Sequence, residues 1–121
     1  MKVKDFIKFV NNAIDTTVKI EADDYEAYGE LYTLDDFEEL IKNSTECSGV
    51  EKIASELEIE IEDFYSCATD VYKCEDGYVG IHAGLQLFSE QMDWSDACPD
   101  TCVSEYEAVQ TVTYKPKKCH S

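Results

Sequence analysis

The sequence predicts an α+β fold: a single compact domain over residues 1–121, with an N-terminal helix and an antiparallel β-sheet, a hairpin at 16–32 plus later strands, packed with two to four helices. Three observations predict it. Val3, Phe6, Ile7, Val10 and Ile14 recur at the period of an amphipathic helix. Between Tyr78 and Phe88, Val79, Ile81, Ala83, Leu85 and Leu87 alternate with Gly80, His82, Gly84 and Gln86, which is the period of a strand. Finally, 44% hydrophobic and 12% aromatic side chains in 121 residues supply enough apolar surface for one core, which excludes disorder by composition.

The remaining elements follow in chain order. Thr16–Ala22 (TTVKIEA) is β-branched and alternating, which predicts a strand, with Asp23-Asp24 as the turn and Glu26–Tyr32 as the returning strand of a hairpin. Thr33 then N-caps a helix with Asp36 as its capping-box partner and Leu34, Phe37, Leu40 and Ile41 as its apolar face, ending near Asn43. Val50–Glu62 admits two readings: a short helix passing into a strand with Glu58, Glu60 and Glu62 on one side, or the start of a helix-turn-helix too acidic to enter a DNA groove. Ile61, Phe64, Ala68, Val71 and Tyr72 predict a helix that stops before Asp76-Gly77. Gly80 and Gly84 predict a strand face that another backbone approaches closely, with Leu85–Trp94 alternatively a short helix. Ala108–Lys115 is expected as a last strand, stopped by Pro116.

Charge restricts function more sharply than pattern does. The chain carries 27 acidic and 10 basic side chains, a net charge of −17, and every basic residue is Lys. Without the planar fork of Arg, and with this sign of charge, direct nucleic-acid binding is excluded. From Glu21 to Glu107 the cations are Lys42, Lys52 and Lys73, whereas both ends are basic. Such an asymmetry predicts an interaction surface for a basic partner protein. The acids expected to form it are Asp23, Asp24, Glu26, Glu30, Asp35, Asp36, Glu38 and Glu39, with Glu58, Glu60, Glu62 and Asp63 as a second set. Met1–Ile20 lacks the apolar stretch of a secretory signal and no run suggests a membrane span, so a cytoplasmic place with no membrane partner is expected.

Chemistry-bearing residues give weaker signals. In a reducing compartment Cys47, Cys67, Cys74, Cys98, Cys102 and Cys119 are expected as plain thiols. The alternative is zinc held by Cys98 and Cys102 (CPDTC) with Cys119 and His120. His82, on a strand, reads as a structural residue, and no third group orients a Cys/His nucleophile pair. Neither a calcium loop of the D-x-[DN]-x-[DN]-G type nor a phosphate-binding glycine loop is present. No catalytic residue and no cofactor are therefore expected, and the chain reads as a non-enzyme.

The order of elements in residues 3–43, an opening helix, a VKI-type strand, a second strand and the TLDDFEELIKN helix, resembles small acidic proteins encoded by phages. Among these it is similar to type II anti-CRISPR proteins. That resemblance implies a stoichiometric nuclease inhibitor that mimics nucleic acid and occludes the DNA-binding surface of a CRISPR effector in the host bacterial cell. The alternative is an acidic adaptor or regulatory module for another basic protein. If the cysteines are plain thiols, thermal melts with and without a reductant should nearly coincide; a fall of many degrees on reduction would show a disulfide framework instead.

Overall fold

A computed structural model describes residues 1–23, 33–89, 101–109 and 116, with the backbone alone at 16–23. Helix α1 (Val3–Asp23) and helix α2 (Leu34–Asn43) precede a short 3-10 turn (Thr45–Cys47) and four strands: β1 (Glu51–Ile61), β2 (Tyr65–Cys74), β3 (Gly77–Leu87) and β4 (Cys102–Tyr106). The strands form one antiparallel meander in the order β1-β2-β3-β4. This is the α+β class that the sequence predicts.

Each helix is held at its N-terminus by a carboxylate, where the first turn has unpaired N–H groups. Val3 N donates to Asp76 Oδ1 at 2.8 Å, so the β2–β3 turn caps α1. Thr33 caps α2 reciprocally: its Oγ1 accepts from Asp36 N at 3.2 Å and its own N donates to Asp36 Oδ2 at 3.0 Å, the predicted capping box. A parallel bridge between Thr33 and Gly84 then ties the start of α2 to β3. Both helices lie on one face of the sheet. Phe6, Val10, Leu34, Phe37 and Ile41 meet Ala68, Tyr72, Cys74, Val79, Ile81 and Ala83, with Phe6 and Tyr72 rings tilted at 5.7 Å between centroids.

The structure corrects the sequence reading at three places. Residues 16–22 continue α1 and are not the first strand of a hairpin. Val10, Ile14 and Val18 recur in four-residue steps, and once a helix is nucleated each β-branched residue costs it only tenths of a kcal/mol, less than starting a new element. The expected second strand at 26–32 lies outside the described residues. The expected helix at 61–74 is the end of β1, a turn and β2. As an inner strand β2 is buried continuously from Ser66 to Tyr72, so polar/apolar alternation is lost and chance spacing imitates a helix. Of the expected last strand, 108–109 lie outside any strand and 110–115 outside the described residues, whereas β4 at Cys102–Tyr106 went unpredicted.

Strand β1 is irregular. Between the pairs Glu51↔Lys73 and Ile61↔Ser66 it spends ten residue steps against seven on β2, through three register shifts. Glu56 (φ 56°) and Glu58 (φ 52°) adopt the left-handed region there, which costs a non-glycine residue about 1–2 kcal/mol. Asp70 offsets part of that cost: its Oδ1 accepts from Glu56 N at 3.0 Å, and its Oδ2 lies 4.0 Å from Lys52 Nζ. Burial raises the Asp70 carboxyl above its ordinary 3.8, although the Glu56 N–H and Lys52 pull it down. A carboxylate so raised contributes most to stability while protonated and loses that contribution as pH climbs through its folded-state value. Asp70→Asn should therefore gain stability relative to the parent chain from about pH 4 to pH 7, read as the difference in urea midpoints. A constant or shrinking gain contradicts this.

Candidate functional site

The strand alternation that sends Ala68, Tyr72, Val79 and Ile81 toward the helices sends Cys67, Thr69, Gly80, His82 and Gly84 to the other face. Cross-strand register brings the polar members of that set together. Glu60 pairs with Cys67, Thr69 with His82, and His82 with Cys102. Because β1 bulges, Glu58 and Glu60 reach across β2 onto this face.

A continuous chain of contacts results. Tyr106 Oη donates to Glu58 Oε2 at 2.9 Å, and Thr69 Oγ1 lies 3.3 Å from the same oxygen. Thr69 Oγ1 lies 2.9 Å from His82 Nδ1. A hydroxyl has one proton, so Thr69 either donates to Glu58 and accepts from His82 Nδ1–H or donates to a bare Nδ1, according to the imidazole tautomer. His82 Nε2 lies 3.8 Å from Glu60 Oε2. Cys67 Sγ donates to that oxygen at 3.6 Å. Burial first, and the neighbouring Glu60 carboxylate second, push the Cys67 thiol up to about 11. Burial and the bond to Glu58 raise the Tyr106 phenol as well. Among the described residues Glu60, Cys67 and His82 are the group whose ligand atoms, all within 4.8 Å of one another, match a metal-binding set.

Tyr106 reaches Glu58 by lying flat over Gly80. A Cβ at Gly80 would sit 2.4 Å from Tyr106 Cε1, so the glycine face admits an aromatic ring, where the sequence had suggested a backbone. At Gly84 the neighbour is Thr33, paired in the plane of the sheet as a parallel bridge, which does not depend on a glycine face.

The predicted contact acids divide among several places. Asp35 and Glu39 are exposed on α2, Asp36 is held in the capping box, and Glu38 is bonded to Lys52 Nζ at 2.6 Å. Glu58 and Glu60 belong to the sheet-face network, on the side away from α2, while Glu62 and Asp63 are exposed at the β1–β2 turn. Asp23 ends α1, and Asp24, Glu26 and Glu30 lie outside the described residues. Among the described residues, Asp35 and Glu39 on α2 thus lie away from Glu58 and Glu60 on the other sheet face. Of the sequence-expected zinc ligands, Cys102 is exposed on β4 and Cys98, Cys119 and His120 lie outside the described residues.

On the helix-covered side a second feature stands out. Tyr72 Oη is buried without a partner among the described residues, next to a cleft lined by Glu38, Ile41, Cys47 and Lys52. Desolvation raises this phenol strongly, and Asp70 and Glu38 add to the effect. Among the described residues no helix is long and apolar enough to cross a membrane. Comparison of the chain with protein-family models, with curated proteins and with solved structures finds no match.

The Gly80–Tyr106 contact generates a double-mutant test. Gly80→Ala forces the ring off the sheet and should cost about 1–3 kcal/mol in chemical unfolding. In a Tyr106→Ala background the same substitution should cost markedly less, since the atom it collides with is gone. Equal costs in both backgrounds would show that the ring does not rest on Gly80.

Proposed function

We propose that this chain is a stoichiometric inhibitor that offers carboxylates where a nucleic-acid-handling protein expects phosphates. Its target is the DNA-binding surface of a CRISPR effector nuclease, as for the phage anti-CRISPR proteins it resembles, and it acts without catalysing a reaction. The observation that supports this is charge left without compensation: a net −17, no Arg, and within the acidic stretch Lys52 already engaged with Glu38 and close to Asp70.

The magnitudes are commensurate. A chain of this length folds to a diameter of about 35 Å. Duplex DNA carries about 20 charges over that distance. A basic channel built for the duplex therefore meets a similar charge density on this protein, and electrostatic complementarity of that kind governs encounter rate and salt dependence. The exposed row Asp35 and Glu39, one helical turn apart on α2, is the leading contact surface, with Glu62 and Asp63 as a second.

The test is an effector cleavage assay with increasing amounts of the chain. Inhibition should saturate near one equivalent and weaken steeply with salt. Asp35→Lys combined with Glu39→Lys should weaken binding by several kcal/mol while stability changes by about 0.5 kcal/mol or less. The pair Glu62→Lys and Asp63→Lys is measured in parallel. Unimpeded cleavage at large molar excess refutes the inhibitor reading and favours an adaptor for a different basic protein. A tight gel shift of DNA or RNA by the chain alone refutes both.

A further inference from the structure

We infer that Glu60, Cys67 and His82 form a binding site for a single zinc-class divalent ion, with one coordination position open to solvent. The donor set is one thiolate, one imidazole and one carboxylate, all reachable within 4.8 Å of one another. Sulfur and nitrogen donors suit zinc and its neighbours and disfavour calcium and magnesium, which take oxygen. The spacing fits as well. Metal–ligand bonds of about 2.0–2.3 Å in a tetrahedron imply ligand–ligand edges of about 3.3–3.6 Å. Glu60 Oε2 stands 3.6 Å from Cys67 Sγ and 3.8 Å from His82 Nε2, so an ion is accommodated by small side-chain shifts.

The second observation is independent of that triangle. Thr69 Oγ1 lies 2.9 Å from His82 Nδ1 and 3.3 Å from Glu58 Oε2, so when Nε2 takes an ion the Nδ1 proton has a carboxylate-backed oxygen to donate to. Metal-ligating histidines are held in the same way, their other nitrogen donating to an oxygen backed by a carboxylate. Tyr106, on β4 at the opposite edge of the sheet, fixes Glu58 from the same face. A dication also balances the charge: Glu60 and the Cys67 thiolate together supply two negative charges. Glu60 is 66% exposed at its side chain and His82 20%, which gives an ion an entry path and leaves its fourth position to water. A site with three protein ligands and an open position is the arrangement of reactive rather than purely structural zinc.

Binding exchanges one bond for another without redox change. The Cys67 S–H bond breaks, its proton leaves to solvent, and a sulfur–metal bond forms. An ordinary thiol keeps its proton at neutral pH, so that proton must be released on loading.

The experiment uses the full chain, stripped with a chelator and kept in a phosphine reductant, titrated with Zn²⁺ or Co²⁺ alone. Expected are an ion-dependent rise in melting temperature, a thiolate-to-cobalt charge-transfer band, and release of about one proton per ion by calorimetry in buffers of different ionisation heat. Cys67→Ser should abolish the band. Glu60→Gln and His82→Gln should weaken binding at least tenfold, and Thr69→Val, which touches no metal, should weaken it by about 10–100-fold through the freed imidazole. Should Cys67→Ser fail to fold, Glu60→Gln at its exposed side chain carries the test. Cys98→Ser with Cys119→Ser should leave this band unchanged, since the rival ligand set uses those residues. Full binding and an undiminished band in the Cys67, Glu60 and His82 variants, or a cobalt spectrum without a thiolate band, overturns the assignment. This result is separable from the inhibitor assay, whose surface residues Asp35 and Glu39 lie outside the site.

Discussion

The three-residue excess of β1 over the strand it pairs with is the constraint on which the rest of this structure depends. A regular β1 registered from Glu51↔Lys73 would set Leu57, and not Glu60, opposite Cys67. The bulges re-aim its glutamates, as bulges at sheet edges commonly do. Glu56 turns its N–H onto Asp70, and Glu58 and Glu60 turn their carboxylates over β2. Two left-handed glutamates are an unfavourable local choice that the surrounding contacts sustain, and such strain gathers where a protein does chemistry.

The two sheet faces are stabilised by different physics. One is a conventional core in which Phe6, Phe37 and Ile81, each at most 1% exposed, exclude water between helices and strands. The other has no helix against it among the described residues, yet Cys67 and Thr69 are at most 3% exposed. There the cover includes a ring laid over a glycine, and the cohesion is a row of polar contacts from Tyr106 to Cys67, hydrogen bonds except for the 3.8 Å approach of His82 to Glu60. A buried polar network of this kind is favourable only when each member is satisfied, which makes its geometry exacting.

Charge operates on a third level. Asp35 and Glu39 are exposed on α2, and the repulsion among the acids must be tolerated by a core of modest size. Lys52 relieves it locally by bridging toward Glu38 on α2 and Asp70 on β2, and its own proton is held more tightly as a result, chiefly through the bond to Glu38. Glutamates thus serve both the acidic exterior and, with Cys67 and His82, the donor cluster on the sheet.

The sequence by itself determined the elements whose signals are local. Thr33 and Asp36 announce the start of α2 because a capping box is a contact between residues three apart, and β3 is legible because half of its residues meet the core and half do not. Net charge and the absence of Arg are likewise readable from composition. Tertiary structure alone decided the identity of 16–22, 61–74 and 102–106: there, neighbours distant in sequence override weak local preference, and burial on both faces of β2 removes the alternation that marks a strand. It also decided the donor cluster. Glu60, Cys67 and His82 meet through strand register, and register depends on bulges that no residue spacing encodes. The period-two pairs Cys67/Thr69 and Gly80/His82 were the available signal, visible only once β2 is known to be a strand. A cross-strand site is a property of pairing, and pairing is set by the whole sheet.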